Sequence, residues 1–192
     1  MSRFDKGDAM NAAGRSLDSR SSVALWVAAG VVVPAEVHER LRGGGTALEI
    51  GCGGGLGCLA LAEAYPSARI VGHDRDPDAI ERARTLARAA GLEERISFSV
   101  TGSERLPRAA YDLATLQTLS DRSEAFFIMN AVRNALTPDG VCVLVEPTDL
   151  LTGGIWNRRA TLDTLRAVAE KAGFSRLRRL EGGRVDAYEL RR

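Results

Sequence analysis

The stretch Leu48-Glu49-Ile50-Gly51-Cys52-Gly53-Gly54-Gly55-Leu56-Gly57 constrains this chain more than any other. A short apolar run, Thr46 to Ile50, leads into the glycines, and an apolar run, Leu56 to Tyr65, leads out and is closed by Pro66. That order reads as a strand, a tight glycine turn and a helix. The turn lets backbone approach a ligand without interference from Cβ atoms, and the helix N-terminus behind it favours negative charge.

The rest of the chain repeats the alternation. Arg69 to Asp74 reads as a second strand, and Asp76 caps a helix with Pro77 at its first position. That helix carries the stripe Ala79, Ala83, Leu86, Ala87 and Ala90 at helical spacing, with Gly91 to close it. Arg95 to Val100 is a third strand and Tyr111 to Leu116 a fourth. A helix starting at Asp121 has the stripe Ala125, Ile128, Met129, Val132 and Leu136. Pro138-Asp139-Gly140 reads as a turn. Val141 to Glu146 is a fifth strand, unbroken enough to be central. A helix from about Leu162 to Ala172 and strands at Arg176 to Leu180 and Val185 to Leu190 complete the chain. The expected fold is α/β: a doubly wound, Rossmann-like, seven-stranded, mostly parallel sheet with one antiparallel strand and helices on both faces.

Upstream, Val23 to Ala29 reads as an apolar helix, and Pro34 opens a second one through Arg42, ended by Gly43-Gly44-Gly45. The expected division is a helical cap or flap over 1–42 and a cofactor domain over 43–192. Residues 1 to about 20 are polar and small, as in a loosely ordered or cofactor-dependent flap.

At 192 residues and 45% hydrophobic content the chain can bury one ordinary core. The net charge of +1 forces neither a nucleic-acid nor a membrane partner. Arginines crowd the last third, which we read as a solvated face. The three cysteines, Cys52, Cys58 and Cys142, fit neither a disulfide framework nor a zinc site. They read as buried thiols in a reducing compartment. No His/Asp/Glu cluster has metal-ligand spacing. The N-terminus lacks the apolar core of a signal peptide, and Val23 to Val33 is short of a membrane span of about 20 residues. A cytoplasmic address follows. Abundant Ala, Arg and Gly point to a GC-rich bacterial genome.

An acid at the end of the second strand, about 20 residues after the loop, suits the hydroxyls of a ribose. Two details choose among nucleotide-like ligands. The G-x-G-x-x-G spacing of dinucleotide sites fails from either Gly51 or Gly53. Glu49, just before the loop, would repel a pyrophosphate but suits a ligand bearing an amino group and a sulfonium. A G-x-x-x-x-G-K-[ST] phosphate loop is absent.

The segment Glu49 to Gly55 resembles the first motif of class I S-adenosylmethionine-dependent methyltransferases. Ile70 to Arg84 resembles their second strand and following helix, Tyr111-Asp112-Leu113 the opening of their fourth strand, Leu136 to Pro147 the region of their fifth, and Lys171 to Phe174 the end of their last helix. The resemblance covers about residues 40 to 192. It implies S-adenosylmethionine as cofactor and S-adenosylhomocysteine as product. By position, Gly51, Cys52 and Gly53 would hold the methionine portion through backbone, and Glu49 would fix the loop and the ammonium environment. Asp74 would bind the ribose hydroxyls, Arg75 would lie along the adenine, and Gln117 to Leu119 would line the methionine side.

Three departures from that pattern matter. Many relatives carry an acid after the third strand that accepts the adenine amine. Gly102 stands there, leaving Ser103 or a backbone carbonyl to substitute. Small-molecule members often have a histidine and an acid after the fourth strand, where this chain has Leu119-Ser120-Asp121. The motif of exocyclic-amine nucleic-acid enzymes is replaced by Gln117-Thr118-Leu119-Ser120. His38 reads as a surface residue and His73 as a packing residue near the cofactor. The placed acids that could take a proton are Asp121 and Glu146. Substrate cover must come from residues 1 to 42, from Thr148 to Asn157 with Trp156, or from a second subunit. Trp26 and Trp156 could equally be core or oligomer contacts.

The leading expectation is methyl transfer to an O, N or C atom of a small molecule, with a bacterial specialised metabolite as substrate. A non-methylating cyclisation or rearrangement on the same cofactor is the second. A non-catalytic partner subunit is the third, and an RNA or protein methyltransferase takes what remains. A homodimer is compatible with the apolar Val23 to Val33 segment.

Overall fold

The computed structural model describes residues 34–117, 122–146, 158–180 and 186–192. The elements are α1 (Ala35–Arg42), β1 (Thr46–Ile50), α2 (Leu56–Ala64), β2 (Arg69–Asp74), α3 (Pro77–Ala89), β3 (Ile96–Val100), a single 3₁₀ turn (Ser103–Arg105), β4 (Tyr111–Gln117), α4 (Arg122–Ala135), β5 (Leu136–Glu146), α5 (Arg158–Lys171), β6 (Arg176–Leu180) and β7 (Asp186–Arg191). One seven-stranded sheet runs in the order β3-β2-β1-β4-β5-β7-β6. Neighbours are parallel except that β7 lies antiparallel to both β5 and β6. This is the expected architecture, and the connections reverse direction between β1 and β4, where such sheets bind ligands.

Alternation along the strands feeds two cores. On one face Val37 and Leu41 of α1, Cys58, Leu61 and Ala62 of α2, and Ile80, Ala83 and Ala87 of α3 cover Ala47, Ile70, Phe98 and Leu113. On the other, Ala125, Met129 and Val132 of α4 and Leu165, Ala169 and Ala172 of α5 cover Leu48, Ala114, Cys142 and Leu144. All three cysteines are buried free thiols.

Local chemistry explains where the helices stop. The Asp76 carboxylate accepts from the Asp78 amide at 2.9 Å, so α3 begins at a side-chain cap with Pro77 behind it. At the other end of α3, Gly91 is left-handed with φ +67°. Its amide bonds the Arg88 carbonyl while that of Leu92 reaches Ala87, which is a Schellman closure. Gly173 closes α5 the same way, with Phe174 bonding back to Ala169. The Arg95 guanidinium donates to the carbonyls of Ala62, Tyr65 and Ala68, covering the end of α2.

Three details differ from the sequence reading. Leu136, read as the end of the α4 stripe, is the first residue of β5. Pro138-Asp139-Gly140 is not a free turn but part of a bulge inside β5. Tyr111 pairs with Leu136 and Leu113 with Val141, so Thr137 to Gly140 stand opposite Asp112 alone. Asp112 organises that irregularity: its carboxylate accepts from the Thr46 amide at 2.9 Å and from the Thr137 hydroxyl at 3.5 Å. His38 is not a plain surface residue either. It is half-buried, and its Nδ1 is hydrogen-bonded to the Tyr65 hydroxyl.

Candidate functional site

The glycine loop leaves the carboxyl end of β1 and is pinned to β2 beside it. The Gly51 and Cys52 amides both bond the His73 carbonyl, at 2.8 and 3.1 Å. The Gly53 amide bonds Asp74 Oδ2 at 2.8 Å, and the Gly55 amide turns back to Cys52 at 3.0 Å. Gly51, Gly53 and Gly55 all have positive φ, at +77°, +50° and +81°, which L side chains rarely adopt.

The glycines divide by what lies over them. A Cβ on Gly55 would stand 2.8 Å from the Ala83 Cβ and 2.9 Å from the Phe98 ring, so Gly55 is there for close packing. A Cβ on Gly51, Gly53 or Gly54 would meet nothing within 4 Å among the described residues. Among the described residues the loop therefore presents a cradle free of side chains. Because the amides of Gly51, Cys52, Gly53 and Gly55 are already spent, the loop is poorly equipped to cradle a phosphate. What it supplies is room.

Glu49 lies beneath this cradle and is only 3% exposed. It lies on the face of β1 that meets α2, where the Cys58 thiol bonds its Oε2 at 3.1 Å and the Cys58 backbone amide also donates to it. Gly55, the residue before α2, offers no side-chain cap, so Glu49 does that work from the preceding strand. Burial pushes its pKa up to about 8. The two bonds from Cys58 oppose that rise, and the Asp74 charge adds to it. A neighbouring cation would reverse the balance.

Asp74 does two jobs at once. One oxygen holds the Gly53 amide and the other the Asp76 amide at 2.9 Å, so the acid expected at a ribose also shapes the loop. Each oxygen keeps a further lone pair for a ligand hydroxyl. Buried His73 places its Nδ1 3.3 Å from the Gly102 carbonyl, tying β2 to the turn after β3. Cys52, expected at the ligand, turns its side chain inward. A Cβ on Gly72 would come within 2.9 Å of its sulfur, leaving Cys52 no exposed side chain with which to touch a ligand.

Arg75 reaches sideways to Glu124 of α4, at 3.2 Å. Gly102 and Ser103 are buried at the turn after β3. Sequence reasoning missed Glu124, which meets Arg75 only through the fold, and it missed Cys58 as the partner of Glu49. The fit of Cys58 was in reach, since it stands at the third position of a helix whose cap is glycine. Gln117 ends β4 opposite Val145, and Glu146 ends β5 opposite Asp186. Asp121, Leu119, Ser120, Trp26, Trp156 and Thr148 to Asn157 lie outside the described residues. Among the described residues no cluster of His, Cys, Asp or Glu could hold a metal ion, and no helix is long and apolar enough to cross a membrane.

Sheet order, the switch point between β1 and β4 and the glycine loop at the end of β1 define a class: a Rossmann-like α/β domain. Its family is settled by comparison. A family model for a methyltransferase domain matches residues 41–175, and the chain belongs to the class I S-adenosylmethionine-dependent methyltransferases. It is 31% identical over 105 residues to trans-aconitate 2-methyltransferase of Methylobacterium radiotolerans, covering 54% of this chain and 38% of that protein. It is 27% identical over 179 residues to methyltransferase GfsG of Streptomyces halstedii, covering 82% and 63%. The crystal structure of the (4+2)-cyclase SpnF aligns with a TM-score of 0.63 at 25% identity, over 92% of this chain and 67% of that one. The chain spans less than two thirds of the length of these two curated relatives.

Proposed function

We propose that the protein binds S-adenosylmethionine and transfers its methyl group to an O, N or C atom of a small molecule, with a bacterial specialised metabolite as the substrate class. The observation that carries this reading is the cradle over Gly51, Gly53 and Gly54, free of side chains among the described residues, with the Gly51 and Gly53 amides used internally and with Glu49 and Asp74 beneath and beside it. That donor set suits a ligand with a sulfonium and an ammonium at one end and a ribose at the other.

In this reading Asp74 holds the ribose hydroxyls while keeping the loop in shape. The backbone of Gly51 and Gly53 lies against the methionine portion, and Glu49 supplies negative charge from below. The cofactor supplies a methyl on a sulfonium, so good a leaving group that holding the nucleophile in line can provide most of the acceleration. The acceptor would approach from the carboxyl ends of β4 and β5, where Gln117 and Glu146 end their strands. The small acceptor named for trans-aconitate 2-methyltransferase supports the substrate class.

The alignment with a cyclase favours one alternative, in which the same site assists a rearrangement without methyl transfer. The first test is thermal unfolding with and without S-adenosylhomocysteine, with NAD as comparison. Ligand at 100 times its dissociation constant should stabilise by about 2.7 kcal/mol, a rise of roughly 5–11 °C for a domain of this size. No shift at saturating ligand overturns the reading. Product mass then separates the two reactions: a gain of one methyl with S-adenosylhomocysteine released, or unchanged mass.

A further inference from the structure

Gly72, inside β2, is fitted around a sulfur. The Cβ it lacks would stand 2.9 Å from Cys52 Sγ and 2.7 Å from the Phe98 ring. Glu49 is the residue opposite Gly72 on the neighbouring strand, and Glu49 Oε2 accepts from the Cys58 thiol at 3.1 Å. The Cys52 sulfur therefore lies over the strand pair against which the Cys58 sulfur is held, and the two side chains are hydrogen-bonded to each other. The backbone brings them together as well. The Gly55 amide turns back to the Cys52 carbonyl at 3.0 Å, and Cys58 follows Gly55 by about one helical turn of α2.

The methyl-transfer reading uses neither thiol as a nucleophile. Cys58 is fully enclosed, whereas Cys52 is 4% exposed and belongs to the loop whose Gly51, Gly53 and Gly54 carry no overlying side chain among the described residues. The bond with Cys52, burial and the Glu49 charge hold the Cys58 thiol well above its ordinary range, so it stays protonated. Cys52 is then the sulfur that a small oxidant reaches first, and Cys58 the one placed to follow. The third thiol, Cys142, lies in the core on the opposite face of the sheet.

We propose that Cys52 and Cys58 form an oxidation site, a thiol pair beneath the ligand loop that a hydroperoxide converts to a disulfide. Cys52 Sγ attacks the outer oxygen of hydrogen peroxide, the O–O bond breaks, and the Cys52 proton leaves with the departing oxygen as water. Cys52 is left as a sulfenic acid. Cys58 Sγ then attacks the Cys52 sulfur, so the S–S bond forms and the S–O bond breaks. The Cys58 proton passes through the ionised Glu49 carboxylate to the departing hydroxide, which leaves as a second water. Two thiols lose two electrons and one peroxide gains them. The disulfide removes the S–H donor from Glu49 and draws Cys52 toward α2, so it changes both the charge and the position of the loop. Its formation is independent of the proposed cofactor, while its effect on binding rests on that reading.

The test treats the folded full chain with hydrogen peroxide and then reads each cysteine by alkylation after unfolding and by mass. Trypsin leaves Cys52 and Cys58 in one peptide, 43–69. That peptide should lose about 2 Da and resist alkylation, with dithiothreitol restoring both thiols, while Cys142 stays open to alkylation. Cys58→Ser should stop at the Cys52 sulfenic acid, captured by dimedone, and Cys142→Ala should form the disulfide as the wild type does. Calorimetry with S-adenosylhomocysteine should show the oxidised chain binding at least about tenfold more weakly than the reduced one, with recovery after dithiothreitol. Cys52 and Cys58 still free after peroxide, Cys52 oxidised without Cys58, or Cys142 lost at the same rate overturns the site, since equal loss reports unfolding. A disulfide that leaves affinity unchanged overturns its coupling to the loop. A reduced chain that does not bind S-adenosylhomocysteine instead removes the proposed cofactor, and the mass of peptide 43–69 still decides the disulfide.

Discussion

Glu49→Gln isolates the most unusual electrostatic feature of the site. A carboxyl whose folded pKa is near 8, against an ordinary value of 4.5, holds its proton more tightly in the folded chain than in the unfolded one. Stability from this group is therefore present at low pH and is lost as pH rises from about 4.5 to about 8, by about 1.4 kcal/mol per pH unit in that window. Gln keeps the shape and an acceptor for Cys58 but cannot ionise. All other titrations are shared, so the difference between variant and wild type isolates position 49. Between pH 5.5 and 7.5 the variant should gain about 3 kcal/mol on the wild type, or roughly 6–12 °C in melting temperature. Urea denaturation of both proteins at those two pH values measures it directly. Parallel stability profiles would refute the reasoning, since they would mean the buried carboxyl titrates alike folded and unfolded. The same linkage gives the ligand the opposite slope. A bound ammonium near Glu49 favours the ionised form, so wild-type affinity for S-adenosylhomocysteine should climb between pH 6 and 8 while that of Glu49→Gln stays flat.

Gly53→Ala places a methyl into the open cradle at φ +50°. It should cost about 1–2 kcal/mol of stability and weaken S-adenosylhomocysteine at least about tenfold by calorimetry. Gly55→Ala drives its methyl into Ala83 and Phe98, so it should destabilise by about 2–4 kcal/mol in denaturant titration, while folded protein keeps most of its affinity. Asp74→Ala removes the acceptor of two backbone amides. It should abolish the ligand-induced rise in melting temperature and cost the apo protein about 1–3 kcal/mol. Arg95→Ala uncovers the carbonyls at the end of α2, far from the loop. It should cost about 1–3 kcal/mol with no change in ligand affinity.

Much of this was legible in the sequence, because the signals were local. The Asp76-Pro77 start of α3, the Gly91 and Gly173 stops and the alternation of strand with helix are each written within a few residues, and parallel strands joined by helices leave few topologies. The loop and Asp74 were visible for the same reason. The state of the loop amides was not, because Gly53 meets Asp74 only once β1 and β2 are set side by side. Arg75 and Glu124, 49 positions apart, likewise meet only through the fold. Pro138-Asp139-Gly140 carried a true turn signal, but the pairing of β4 with β5 on both sides of it turned it into a bulge.

Asp112 sits at the opposite end of β1 and β4 from the glycine loop, where its carboxylate ties the first residue of β1 and the bulge of β5 to the start of β4. Even Gly45 is fitted around it, since a Cβ there would come within 2.7 Å of Oδ2. The strand between is short and stiff, so whatever displaces its root also displaces its tip. Asp112 thus anchors the root of β1, the strand that runs into the glycine loop. Variation at this remote position would register in a binding screen as a defect of the site, although no atom that touches the ligand had changed. Families that share the loop but differ at this root would be expected to hold the same ligand at slightly different depths.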